Sequence, residues 1–309
     1  MMLCCGESLI DMIPSDTADG RSCFVPHPGG AVFNTAIALG RLGVDAGMLT
    51  GLSTDLFGVQ LRRALEDSHV DTRFAVSTER PTTLAFVALQ DGQASYSFFD
   101  ENSALRMLSN EEIPALDPEI DCLFFGGISL ASEPCADTFA SLLEREGKTR
   151  LAMLDPNIRQ SFIADEGRFR GRMKRMMELS DIVKVSDEDL DWLVPRPLTI
   201  RDQLQSILEL GPSLVVATMG SAGAIALSSA GVDVEAPAVH AEVVDTVGAG
   251  DTFNAGFLAG LFRQDKLSRA GVGELTDAEL ESALGLGSAA AAVTVSRAGA
   301  NPPWDRDLM

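Results

Sequence analysis

Positive charge is scarce in this chain of 309 residues: 24 lysines and arginines stand against 45 aspartates and glutamates, a formal net charge of −21. Nucleic-acid backbones and anionic membranes are thereby excluded as main partners, because both would be repelled. Any bound phosphate must be held by backbone dipoles, a few basic side chains and a cation. Cysteine is sparse as well. Cys4, Cys5, Cys23, Cys122 and Cys135 include no CxxC and no histidine-containing ligand spacing, so reduced thiols are expected, not a disulfide framework. No run of ~18 apolar residues goes uninterrupted, and no membrane span is expected. The opening MMLCCGESLIDMIP has no basic segment and carries Glu7 and Asp11 early, unlike a secretory leader. These absences point to a cytoplasmic molecule.

Two familiar phosphate loops are missing too. The only Gly-Lys-Thr, at Gly147–Thr149, would need glycine at position 142, which is leucine. A dinucleotide fingerprint starting at Gly248 would need a third glycine at 253, which is phenylalanine. No repeat, low-complexity tract or linker divides the chain, whose length suits one large α/β domain or two smaller ones.

What is present is an alternation. From Cys122 onward, short apolar strands (CLFFGG, RLAMLDPN, DIVKVS, SLVVATMG) alternate with helical patterns (CADTFASLLEREG, GRFRGRMKRMMELS, IRDQLQSILELG). That order predicts a parallel sheet covered on both faces. Earlier, AVFNTAIALGRLG and FGVQLRRALEDSHV read as helices. The mixed, proline-rich text from Leu9 to Pro28 suits exposed strands. TTLAFVALQDGQASYSFFD holds two β-rich runs around Asp91-Gly92, a hairpin signal. The expected result is one α/β domain over residues 1–309 with a small β lid from about residues 9–27 and 80–106. An exposed lid strand such as LAFVAL would be free to pair with a second subunit.

The stretch DTVGAGDTFNAGF sets Gly248, Ala249 and Gly250 just before Asp251, and a helix whose Phe253, Phe257, Leu258 and Leu261 share one face. Successive amides at such a helix start form an anion cradle. The plainer alternative is a tight turn with a carboxylate complementing the helix dipole.

DTVGAGDTFNAGFLAGL resembles the C-terminal signature of the ribokinase-like, or phosphofructokinase B, family of sugar kinases. PGGAVFNTAIALGRLG resembles its N-terminal signature, followed by GLSTDLFG. GESLIDMIP, DPNIR, KVSDEDL and TMGSAGA stand in the family's order, so the resemblance spans nearly the whole chain. Within the family, GESLID, PTTLAFV, DPNIR and VKVSDEDL are most similar to bacterial fructokinases. The resemblance implies a three-layer α/β/α ribokinase-like fold with a mostly parallel central sheet, and ATP and Mg²⁺ as cofactors. It implies that Asp251 takes the proton of a sugar hydroxyl, a contribution of ~10²–10⁴-fold, while the Gly248–Asp251 amides neutralise the transferred phosphoryl group.

The resemblance also implies sugar contacts from Asp11, Gly29, Gly30 and Asn34, with Arg106 and Arg159 reaching sugar or phosphate oxygens. Each has a plainer reading: Asp11 as a turn cap, Asn34 as a helix-start residue, each arginine as a surface ion pair. ATP would lie along Thr218, Gly220 and Gly223, near Lys184 and Ser186. The small-residue segment GLGSAAAAVTVSRAGANPP either admits the adenine or serves close helix packing. Asp245 and carbonyls near Gly299 match the family's monovalent-cation site, which suits K⁺. One departure stands out: the family's Asn-x-x-Glu becomes Ser186-Asp187-Glu188-Asp189. Asp189 is one methylene shorter, leaving Glu188 or a water to complete the Mg²⁺ arrangement.

The acceptor implied is a small sugar, D-fructose first, with 2-keto-3-deoxygluconate or a nucleoside as alternatives. An acid acceptor would favour basic residues in the lid, where Arg21 alone occurs between Ser8 and Pro28. A non-catalytic sugar sensor is the remaining alternative, opposed by the intact Asp251 turn.

Overall fold

The computed structural model describes residues 1–90, 93–195 and 198–308. In chain order the strands are β1 (Met2–Cys5), β2 (Leu9–Asp16), β3 (Ser22–Gly29), β4 (Ala46–Leu49), β5 (Gly51–Ser53), β6 (Val70–Asp71), β7 (Val76–Thr78), β8 (Leu84–Gln90), β9 (Gln93–Phe99), β10 (Cys122–Gly126), β11 (Leu151–Asp155), β12 (Ile182–Ser186), β13 (Leu214–Thr218), β14 (Ala224–Ser228) and β15 (Asp233–Ala236). The helices are α1 (Ala31–Arg41), α2 (Leu56–Asp67), α3 (Cys135–Glu146), α4 (Glu166–Leu179), α5 (Asp187–Leu193), α6 (Ile200–Leu208), α7 (Ala249–Arg263), α8 (Arg269–Gly273) and α9 (Asp277–Val295).

Continuous apolar strands set the centre. β1, β10 and β11 are buried at every residue, and β12 and β13 at all but the last, as strands covered on both faces must be. They lie in a nine-stranded sheet of order β15-β14-β13-β12-β11-β10-β1-β4-β6. The pairings from β13 to β6 are parallel, and β14 and β15 close one edge as antiparallel partners. Side chains alternate between two cores. Met2 and Cys4 join the apolar cluster of α1, α2, α7, α8 and α9; Leu3 and Cys5 join that of α3, α4, α5 and α6. The three-layer α/β/α arrangement implied by the sequence is the one observed.

A second sheet has the order β3-β2-β8-β9. β2 pairs antiparallel with β3 along its length and parallel with β8 through Ile10–Met12 and Leu84–Phe86. The Asp91-Gly92 hairpin signal lies outside the described residues. LAFVAL is β8, an inner strand flanked by β2 and β9, so its backbone is not free for a second subunit. The edges are β3 and β9. The chain joins this sheet to the rest at four places: Gly6–Ser8 leads from β1 into β2, β3 runs through Gly30 directly into α1, residues 79–83 lead from β7 into β8, and residues 100–121 lead from β9 to β10. Among the described residues, no helix is long and apolar enough to cross a membrane.

α7 buries more than the one face marked by its large apolar residues. Every residue from Asp251 to Leu261 is buried. Its small residues let α9 approach closely, and the Phe253 ring lies against Gly287 of α9. A Cβ on Gly256 would lie 2.8 Å from the Gly287 Cα, and one on Gly260 2.7 Å from the Ala283 Cα. Gly287 and Ala290 of the late small-residue segment thus serve helix packing, the plainer of its two readings.

Candidate active site

In open parallel sheets, ligands bind beyond the carboxyl ends of the strands where the strand order reverses. Here that reversal is at β1, whose neighbours are β10 on one side and β4 on the other. α1 and α7 both begin near this point, and neither carries a cap of its own. α2, α6 and α9 are capped by the side chains of Asp55, Thr199 and Thr276, whereas α1 and α7 start at Gly30 and Gly248 without a side-chain hydrogen bond.

For α1 the cap comes from a distance. The buried Glu7 accepts from the amides of Ala31 at 2.9 Å and Val32 at 3.4 Å through one oxygen, and from Ser129 at 3.2 Å through the other. Burial pushes the Glu7 carboxyl up, and these amides oppose the shift. Three donors on one carboxylate, plus the dipole of α1, favour its ionised form.

For α7 no cap is supplied. Gly248 has φ +78°, a left-handed conformation that glycine adopts freely. The Ala249 amide turns back to the Thr246 carbonyl at 3.3 Å, which removes one of the donors expected in the cradle. The amides of Gly250 and Asp251 have no partner among the described residues, and Gly250 is exposed. Two free amides at the positive end of a fifteen-residue helix make an anion site.

The Asp251 side chain turns inward from this turn and is 7% exposed. Asn34 Nδ2 donates to its Oδ2 at 2.9 Å, and Thr35 Oγ1 donates to its carbonyl at 3.3 Å. Burial pushes the Asp251 carboxyl up to about 7; the Asn34 bond opposes this, and the charge of Asp155 adds to it. A carboxylate with that pKa is suited to accepting a proton near neutral pH. Asn34, read from the sequence as a sugar contact, therefore has a bond to the carboxylate that the sugar would address.

Beside Asp251 lies a second polar cluster. Lys184 Nζ is 3.1 Å from Asp155 Oδ2, and Asn254 Nδ2 donates to the same oxygen at 2.6 Å. Asp155 Oδ1 and Asn254 Oδ1 are buried and have no partner among the described residues. Asp189 accepts from the Ile158 amide at 3.0 Å, and its own amide donates to Ser186 Oγ at 3.0 Å. Burial pushes Asp189 up, Asp155 reinforcing and Lys184 opposing. Glu188 is exposed on the first turn of α5 and does not join this cluster.

The remaining sequence candidates fall around these two. Asp11, on β2, is pushed up to about 6 by burial. Its carboxylate lies against Gly29, in the space a Cβ there would take. Arg106 pairs with Asp100 at 2.8 Å and donates to the Glu133 carbonyl at 3.2 Å. It lines a cavity of about 390 Å³ with Phe98, Phe162, Arg168 and Arg172. Arg159 is exposed and donates to its neighbour's carbonyl, Ile158, at 3.2 Å. Thr218 ends β13, its hydroxyl 3.4 Å from the Val185 carbonyl, and Gly220 and Gly223 follow with positive φ. Asp245 and Gly299 do meet, but through the carboxylate: it accepts from Gly299 at 2.9 Å and Val247 at 3.0 Å, so each oxygen already holds an amide. Among the described residues no group of three or more His, Cys, Asp or Glu forms a metal cage.

Three buried residues, Glu7, Asp155 and Asn254, were not singled out from the sequence. Each had a signal. Glu7 follows an all-apolar strand, Asp155 ends one, and Asn254 sits one turn after Asp251 on an otherwise apolar helix.

Comparison with known proteins adds to this geometry. The profile of the pfkB family carbohydrate kinases matches residues 1–307. A fructokinase of Rhizobium leguminosarum bv. trifolii is 46% identical over 283 residues, covering 91% of this chain and 86% of its own. Fructokinase-1 of Oryza sativa subsp. japonica is 33% identical over 309 residues, covering 96% and 92%. Among solved structures, a fructokinase from Xylella fastidiosa with bound ATP superposes with a TM-score of 0.89 at 26% identity, covering 99% of this chain and 97% of that one.

Proposed function

Because this chain belongs to the pfkB family of carbohydrate kinases, we propose that it transfers the γ-phosphoryl group of ATP to a hydroxyl of D-fructose, giving fructose 6-phosphate. The observation that carries the mechanism is the pairing of Asp251 with the open end of α7. A carboxyl pushed up to about 7 stands directly beside two unpartnered amides. The sugar hydroxyl loses its proton to Asp251 as its oxygen forms the new bond to phosphorus. The bond from phosphorus to the β–γ bridging oxygen breaks, and ADP leaves with that electron pair. The amides of Gly250 and Asp251 offset charge on the phosphoryl oxygens in transit. Asn34 orients the accepting carboxylate. Asp11, held at Gly29, meets the sugar hydroxyls. The small sheet serves as the lid that shuts water away from the phosphate.

Fructose is favoured as the acceptor because the 46% and 33% identical relatives are named fructokinases. Mg²⁺ fits the site as a partner of the ATP phosphates, not as a caged ion. A carboxylate is at hand in Asp189, which accepts from the Ile158 amide, and Mg²⁺ is commonly held by one or two carboxylates plus phosphate. When bound it would neutralise phosphate charge. The test is coupled ADP release with fructose, ribose, 2-keto-3-deoxygluconate and adenosine as acceptors. Release with fructose at the highest kcat/KM is expected; a higher value for another acceptor replaces fructose, and release with none overturns the kinase reading.

A further inference from the structure

The geometry points to Asp155 as a positioning residue that fixes the ammonium of Lys184 against the open end of α7, where it meets the phosphoryl group in transit. This rests on the assignment of that helix end as the phosphoryl cradle. Lys184 is the one charged residue within the buried strand β12, and it is 4% exposed. Asp155 Oδ2 is its one protein partner among the described residues, so its other two N–H bonds are unassigned. A Cβ placed on Gly250 would lie 3.5 Å from Nζ. The ammonium therefore stands alongside the two free amides of the turn. A lysine is a flexible point charge on a long stem. Asp155 opposes that freedom, holding the ammonium in one direction.

Asp155 is itself braced. It ends β11, is 2% exposed, and receives Asn254 Nδ2 on the same oxygen that meets Lys184. The reversed amide would set two oxygens against each other, so this orientation of Asn254 is the one the carboxylate permits. β11, β12 and α7 are thereby joined through one oxygen atom. A purely structural reading fits poorly. A buried ion pair is weak evidence for stability, and one kept for stability would leave fewer groups unsatisfied than Asp155 Oδ1, Asn254 Oδ1 and two ammonium N–H bonds. That pattern suits a cluster completed by a ligand and its waters.

The experiment is a double-mutant cycle on kcat with fructose and ATP, using Asp155→Asn, Lys184→Gln and the pair, with folding monitored by circular dichroism. Loss of a preorganised donor to the transition state predicts a kcat decrease of ~10²–10³-fold for Lys184→Gln. Asp155→Asn is expected to lower kcat by roughly 10–100-fold, with the fructose KM within about threefold of wild type, and to add less than about threefold in the Lys184→Gln background. If the two losses multiply, or if folded Asp155→Asn turns over normally, the inference fails. Should Asp155→Asn not fold, Asn254→Ala removes only the brace. It is expected to lower kcat about three- to tenfold in the wild type and to have no further effect beside Lys184→Gln; the same loss in both backgrounds refutes the coupling. Asp251→Asn separates the two assignments: normal turnover there overturns the cradle itself, whereas its collapse beside a normal Asp155→Asn overturns only the role of Asp155.

Discussion

Replacing Asp251 by Asn is expected to make the protein more stable while abolishing most of its turnover. Burial raises the Asp251 carboxyl from 3.8 to about 7. The folded state therefore holds this proton up to about pH 7, whereas the unfolded chain releases it near pH 4. Between those values the folded state binds more protons than the unfolded one, so wild-type stability falls as pH rises and levels off above about pH 7. At ~1.4 kcal/mol per unit, a shift of about three units sets a ceiling of about 4 kcal/mol. Asparagine keeps an acceptor for Asn34 Nδ2 and removes the charge, so Asp251→Asn is expected to gain about 2–4 kcal/mol at pH 8. At ~2.1 cal/mol/K per residue over 309 residues, that is a rise in Tm of about 3–6 °C. By pH 5 roughly a third of the gain should remain. The assay is differential scanning fluorimetry of both proteins at pH 5 and pH 8, with no ligand and one scan rate, beside turnover at pH 8. A kcat lower by ~10²–10⁴-fold is expected. An unchanged or lower Tm at pH 8, or the same shift at both pH values, would refute a carboxyl held up by burial.

Three further outcomes follow from the geometry. The pH profile of kcat/KM should have an acid limb with an apparent pKa near 7, set by Asp251, and should lose its slope there if another group is the base. Gly29→Ala places a methyl group on the Asp11 carboxylate; the fructose KM should rise about tenfold or more, ~1.4 kcal/mol or more of lost binding, while the ATP KM, read in the same titrations, stays put. Glu7→Gln turns one of two accepting oxygens into a donor facing backbone amides, which should cost ~1–3 kcal/mol in chemical denaturation and speed hydrogen exchange at Ala31 and Val32.

The central sheet was legible because its strands are buried on both faces, and an unbroken apolar run such as CLFFG or LAMLD has few other uses. The turn at Gly248–Asp251 was legible because glycine, glycine and carboxylate at a helix start are a costly local choice. What escaped has a common cause. Asn34 and Asp251 are 217 positions apart, and no local pattern shows that they share a hydrogen bond. The position of β8 inside its sheet depends on a parallel pairing with β2, seventy-odd residues earlier, which side-chain alternation cannot reveal. The second buried face of α7 escaped for a different reason. Periodicity counts large side chains, whereas its second buried face is built from glycine and alanine packed against α9. Glu7 and Asp155 were hidden by their setting, since a lone acid after an apolar strand reads as the start of a loop.

The unbroken burial of α7 from Asp251 to Leu261 has a consequence for how this molecule can change over evolutionary time. A stretch of helix with no solvent face, touching α9 through glycine backbones, has almost no position where a substitution is neutral, so the proposed proton acceptor and phosphate end are inherited nearly as a block. The four-stranded sheet is different: it is a separate sheet, and one side of β3 and β9 pairs with no strand among the described residues. On the proposed roles, new acceptor preferences can accumulate there, around Asp11, without disturbing the phosphoryl end. A lineage built this way would diversify its sugars while its phosphate chemistry stood still.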